Sequence, residues 1–163
     1  MTEKKPVVIN REFKAPIEKV WAAWTEEEQM KKWWGPQHFT APSITIDLKV
    51  GGKYLFCMRG AMGPGQPEID MWSAGTYEEI VPLKKLVYTD HFADEKGNYI
   101  SPATYGMADF DEEMRVTVEF ESLPDGGTKM TVTHEGAVPG TNADNMSIGW
   151  NQSFDKLNSS VSQ

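Results

Sequence analysis

The sequence predicts an α+β domain, in which a seven-stranded antiparallel sheet wraps a long C-terminal helix and two short helices follow the first strand. Three observations point there. Apolar and polar residues alternate at period two along most of residues 39–134. Tight-turn residues divide that stretch into successive hairpins, which argues for antiparallel pairing with one face covered. A helical apolar period appears just after the first strand and again at the C-terminal end.

Over residues 7–14, Val7, Ile9 and Phe13 alternate with Val8, Asn10 and Glu12, a strand pattern interrupted by Arg11 on the apolar side. Ala15-Pro16 ends it, and Pro16 suits the first position of a helix because it has no N–H to leave unpaired. Ile17, Val20, Trp21 and Trp24 then make one helical face. Thr25 followed by Glu28 predicts a capping box that opens a second short helix, with Met30, Trp33 and Trp34 as its apolar stripe. Gly35 can take the left-handed cap, and Pro36 forbids continuation.

The strands follow. Ile44, Ile46 and Leu48 alternate with polar residues up to the Gly51-Gly52 turn. Tyr54, Phe56 and Met58 alternate with Leu55, Cys57 and Arg59. The loop GAMGPGQPE leads into a strand over residues 71–80, and Pro82 with two lysines turns the chain into a strand over 86–92. Both carry apolar residues on either parity, so their inward face is not readable. Met114, Val116, Val118 and Phe120 form the next strand, and Pro124-Asp125-Gly126-Gly127 returns it into Met130, Val132 and His134. After a break at Pro139-Gly140, with Thr141 or Asn142 available as caps, Met146, Trp150, Phe154, Leu157 and Val161 keep a helical spacing. A helix over 143–161 is roughly 28 Å long at 1.5 Å per residue, and its aromatic face must be buried against the sheet.

The 163 residues suit one domain, residues 1–163. A chain of this size buries roughly 70% of its unfolded surface without staples. The lone Cys57 rules out an internal disulfide, and the first residues carry no apolar leader, so a cytoplasmic location is expected. No stretch approaches the length of a membrane span. The formal net charge of −8 repels phosphate backbones and anionic headgroups, so neither nucleic acid nor a membrane surface is an expected partner.

The run REFKAPIEKVWAAWT at residues 11–25 resembles the opening of the heat-shock-protein-90 ATPase-activator homologue family. WWGP at 33–36, the Gly51-Gly52 turn, GTYEEIVP at 75–82, and Gly149-Trp150 with Leu157 are similar to that family in the same order. The resemblance implies the START-like, helix-grip (SRPBCC) fold, a sheet gripping the C-terminal helix around an apolar pocket. Its members include lipid carriers, antibiotic-resistance binders, polyketide cyclases and co-chaperones, so function has to be argued from the site. Activators of the chaperone proper carry a further domain ahead of this module, whereas this sequence opens at its first strand. Direct ATPase stimulation is therefore not expected.

No catalytic motif stands out. His38, His91 and His134 lack the short regular spacing of a zinc site, and no nucleophile elbow, phosphate-cradling loop or dinucleotide fingerprint is present. No metal, cofactor or covalent chemistry is expected. Asp90 and His91 are adjacent in a strand and face opposite sides, which argues against a dyad between them. Of Trp33 and Trp34, at least one is expected to be plain core. His134 shares the parity of Met130 and Val132 and is expected to face inward, where a satisfied core histidine is commoner than a catalytic one.

The ligand-binding candidates are Trp150 and Phe154 as the floor of a cavity and Phe56, Met58, Val116 and Val118 as its walls. Trp72, Tyr77, Tyr88, Tyr105 and His134 complete the set. Residues 93–113 join two strands by a segment far longer than a hairpin and carry Tyr99, Ile100, Tyr105, Met107 and Phe110. That composition suggests a lid over the cavity or a contact in a homodimer. Three functions compete, in this order: a binder of a small apolar or aromatic molecule; a cyclase or hydrolase acting on a polyketide-like substrate through His134, Tyr88 or Arg11; and a co-chaperone-like interaction module.

Overall fold

The computed structural model describes residues 6–61, 63–105, 110–137 and 141–162. Met107, expected in the long segment, lies outside the described residues, as do the side chains of Phe110 and residues 141–143. β1 (Val7–Phe13) is followed by α1 (Ile17–Thr25) and α2 (Glu27–Met30). Then come β2 (Thr40–Ile46), β3 (Lys53–Ala61), β4 (Glu68–Val81) and β5 (Lys85–Ala93). A 3-10 turn, Pro102–Tyr105, precedes β6 (Phe110–Ser122), β7 (Thr128–Ala137) and α3 (Thr141–Val161). The strands form one antiparallel sheet in the order β1-β7-β6-β5-β4-β3-β2, curled around α3. This is the helix-grip architecture that the sequence predicts. No described helix is long and apolar enough to cross a membrane.

The inner face follows from the register. Ile9, Val132, Val118 and Leu86 stand in line across β1, β7, β6 and β5. Phe56, Ser73 and Phe92 do the same across β3, β4 and β5. β4 was unreadable because it carries a bulge between Tyr77 and Glu79. Met71, Ser73 and Tyr77 face inward on odd numbers before it, and Ile80, paired with buried Leu86, does so on an even number after it. One extra residue swaps the face and sharpens the local bend.

Several local expectations are corrected. Pro16 is the N-cap of α1 in an extended conformation (φ −65°, ψ 154°) and not its first helical residue. Thr25 does not form a capping box; its hydroxyl donates back to Trp21 O at 2.9 Å, and Glu28 pairs with Lys31 at 3.1 Å. A Thr in the last turn of one helix satisfies a local carbonyl sooner than it caps the next. Leu48 is not a strand residue, since β2 stops at Ile46 and the chain turns through residues 47–52. The left-handed backbone at Gly51 (φ +86°) lets its N–H reach Tyr77 O at 2.8 Å, which ties this turn to β4. α3 starts at Thr141, two residues before the expected boundary, so it is about 32 Å long.

Arg11, which breaks the apolar pattern of β1, faces inward as its parity requires. Its guanidinium crosses to α3, donating to Asn151 O at 3.1 Å and to Asp155 Oδ1 at 2.8 Å. The side chain crosses the gap between sheet and helix and binds one to the other.

Candidate functional site

The grip is filled at one end and open at the other. Phe154 and Leu157 of α3 are fully buried against Val20, Trp24, Trp33, Val116, Val118, Met130 and Val132. Trp33 is core, donating from Nε1 to Ala23 O at 2.9 Å, as expected of one of the paired tryptophans. Its neighbour Trp34 is only half-buried and packs edge-on to Trp150, with ring centroids 5.6 Å apart.

Beyond this aromatic block lies a cavity of about 540 Å³. Trp34, Phe39, Met58, Met71, Phe92, Met114 and Trp150 make its apolar wall. Asp90, His134, Ser73 and Ser153 are polar groups on its lining, and exposed Asn145 marks its solvent side. Gly60 is what lets Phe39 reach the wall. Its ring lies so flat on β3 that a Cβ at Gly60 would come within 2.7 Å of it. The loop carrying Gly35, Pro36 and Phe39 is bolted to α3. Lys156 Nζ donates to Pro36 O at 3.2 Å and Phe39 O at 2.9 Å, and Gln37 N donates to Gln152 Oε1 at 3.1 Å.

The sequence-predicted residues divide. Met58, Trp72, Tyr105, His134 and Trp150 line the cavity. Phe56, Tyr77, Tyr88, Val116, Val118 and Phe154 do not; they are buried in the core that closes its far end. Phe56, Tyr77 and Tyr88 pack around the Tyr54 ring, with centroids 4.3, 5.7 and 5.2 Å from it, so parity alone overestimates the cavity. Tyr105 donates its hydroxyl to Ala93 O at 3.1 Å and thereby ties the long segment to β5. Ile100 N–H donates to Phe92 O, whereas Tyr99 is 46% exposed and its ring lies beside His91.

The chemistry of the cavity sits in a chain of four side chains. Trp150 Nε1–H donates to His134 Nδ1 at 3.1 Å. Indole nitrogen is a donor only, so His134 Nδ1 must be unprotonated and the neutral ring carries its proton on Nε2. His134 Nε2 lies 3.7 Å from Asp90 Oδ2, too far for a hydrogen bond, and has no partner among the described residues. Asp90 Oδ1 lies 3.0 Å from the Tyr54 hydroxyl, which also donates to Thr89 O at 2.7 Å.

Burial sets the protonation states. It pushes the Asp90 carboxyl up to about 7, against the Tyr54 hydrogen bond, and holds His134 down to about 4. Between those values both groups are neutral, so the 3.7 Å contact is not an ion pair. The Tyr54 hydroxyl has one proton: donated to Asp90 Oδ1 it favours the ionised carboxyl, and donated to Thr89 O it leaves the hydroxyl oxygen to accept from the protonated one.

Sequence reading missed Asp90. The signal was present, because Asp90 lies two residues from Tyr88 and therefore on the same face, opposite Met114 of β6. Across β6, Asp90 stands beside His134 of β7 and not beside the adjacent His91. Among the described residues, no group of three His, Cys, Asp or Glu side chains is placed to hold a metal ion.

Comparison with known proteins agrees with this architecture. A structure from Chromobacterium violaceum is 24% identical, with 97% of each chain covered and a TM-score of 0.75. One from Nitrosomonas europaea is 22% identical, covering 97% of this chain and 94% of that one, with a TM-score of 0.72. The AHSA1 protein of Silicibacter pomeroyi is 20% identical, covering 97% and 98%, with a TM-score of 0.68. At such identities the likeness shows the fold. No curated protein matches. The model of one family matches residues 14–162, and the chain belongs to it: the Activator of Hsp90 ATPase homolog 1-like proteins.

Proposed function

We propose that this domain binds a small, mainly apolar or aromatic molecule in the cavity between the sheet and α3. One observation carries the reading. A cavity of about 540 Å³, walled by methionine and aromatic side chains, lies beside the buried core of the grip. That volume and that mixture, apolar walls with a few placed polar groups, are what small-molecule sites have in common. Methionine walls adapt their shape to the occupant. The segment between β5 and β6 contributes Tyr105 to the lining and is the candidate lid. Buried Cys57 suits work in a reducing compartment such as the cytoplasm.

The test is titration with the neutral fluorophore N-phenyl-1-naphthylamine, read by its emission and by quenching of tryptophan. Saturable binding that weakens in Trp150→Phe supports the reading. Absence of binding, with a crystal structure whose cavity is closed by side chains, removes it and favours an interaction module.

A second reading, acid–base chemistry on the bound molecule, is favoured by Asp90. A carboxyl that titrates near 7 inside an apolar cavity is matched to proton transfer at neutral pH. That reading requires a bound compound to be turned over by the wild type, and by Asp90→Asn not at all.

A further inference from the structure

His134 poses a problem that the fold leaves unsolved. Its side chain is only 6% exposed, and Nε2–H finds no acceptor among the described residues. A buried donor without a partner keeps its full desolvation cost, so a side chain held in this way points to an acceptor supplied from elsewhere. Trp150 fixes the geometry, because its donation to Nδ1 keeps the proton on Nε2 and the ring in place. Asp90 stands next to that proton, with Oδ1 engaged by Tyr54 and Oδ2 turned toward His134. Both residues line the cavity, so a donor and an acceptor stand side by side, 3.7 Å apart, at the edge of an apolar space, with Nε2 itself shielded behind the lining until an occupant opens it.

One functional group answers both at once. A hydroxyl oxygen about 2.8 Å from each atom accepts from Nε2–H and donates to Oδ2, with the two directions close to a right angle. A carboxylate brings an unpaired charge into an apolar space and has no proton to give Asp90. An ether or ketone satisfies His134 and leaves Asp90 without a donor. A hydrocarbon satisfies neither. We propose that the ligand of this cavity is a neutral, mainly apolar molecule bearing a hydroxyl group, phenol or alcohol, seated between His134 Nε2 and Asp90 Oδ2. This rests on the cavity being a binding site at all, and it names the class of molecule the site selects.

Displacement of N-phenyl-1-naphthylamine by three matched compounds separates the two claims: 2-naphthol, 2-methoxynaphthalene and naphthalene. In the wild type, 2-naphthol should displace the fluorophore at about tenfold lower concentration than naphthalene, the worth of two neutral hydrogen bonds less the water they replace. The methoxy compound should fall within about threefold of naphthalene, since it accepts but cannot donate. In His134→Phe the preference for 2-naphthol should shrink to within about twofold while naphthalene still binds. If His134→Phe does not fold, Asp90→Val makes the same comparison from the acceptor side, and the wild-type series stands by itself. Equal displacement by all three compounds overturns the hydroxyl assignment and leaves the binder reading intact; His134 and Asp90 then satisfy each other or share a water. Failure of the fluorophore and of all three compounds to bind overturns both.

Discussion

The Trp150 indole donates to His134 Nδ1 across the gap between α3 and β7, and this single contact at 3.1 Å decides where the histidine proton lies. It also explains how a titratable ring is tolerated in the core. Burial holds His134 neutral down to about 4, and the indole supplies the donor that a neutral Nδ1 can accept.

Stability against pH follows with opposite signs from the two cavity groups. His134 titrates near 6.5 when unfolded and near 4 when folded, so the unfolded chain binds its proton first and stability falls as pH drops from 6.5 to 4. Asp90 titrates near 3.8 when unfolded and near 7 when folded, so the folded chain keeps its proton and stability falls as pH rises from 3.8 to 7. Each swing is worth about 3–4 kcal/mol, and over most of pH 4–6.5 the two slopes cancel. Urea unfolding of the wild type should therefore show little dependence on these groups in that window. Asp90→Asn should leave a stability that rises with pH, and His134→Gln one that falls. Parallel profiles in all three proteins would contradict the assignment.

Arg11 holds β1 to α3 through Asn151 O and Asp155. Asp155 is 72% exposed, so the ion pair is screened and contributes little, whereas the bond to a helix carbonyl is more sheltered. Arg11→Met should lower stability by about 1 kcal/mol, and Asp155→Ala by a few tenths at most. Chemical denaturation at low and high salt checks this. Equal losses, both abolished by salt, would mean that the charge pair does the work.

Core and cavity should respond differently to truncation. Val118 is fully buried and away from the cavity, so Val118→Ala should cost about 2 kcal/mol and leave the affinity for N-phenyl-1-naphthylamine within twofold. Met58 is partly buried on the cavity wall, and Met58→Ala should cost less stability but weaken the fluorophore several-fold. Thermal melts paired with titrations distinguish the two effects. The reverse pattern would place the ligand among the residues that the sequence suggested and the packing excludes.

The fold was legible because its signals are periodic and local. Strand alternation, the Gly51-Gly52 and Asp125-Gly126 turns and the aromatic stripe of α3 each depend on near neighbours. The site was half legible. Strand parity placed Met58 and His134 on inward faces and helical spacing did the same for Trp150, but how far a curled sheet closes on its helix is a property of the whole surface. Hence Phe56, Val116, Val118 and Phe154 meet as core. The bulge at Tyr77 and Glu79 hid the face of β4, because a one-residue shift in register leaves no mark in composition. Asp90 shares the face of Tyr88 by parity, yet its approach to His134 joins positions far apart in the chain.

The central claim is that a molecule enters between Trp34, Trp150 and the methionine wall. Six tryptophans make that directly observable, since each indole N–H gives its own proton–nitrogen resonance. On titration with N-phenyl-1-naphthylamine, the signals of Trp34 and Trp150 should shift saturably and together, while Trp21 and fully buried Trp33 stay in place. No saturable shift at Trp34 and Trp150, or equal shifts at Trp21 and Trp33, would contradict a ligand in this cavity.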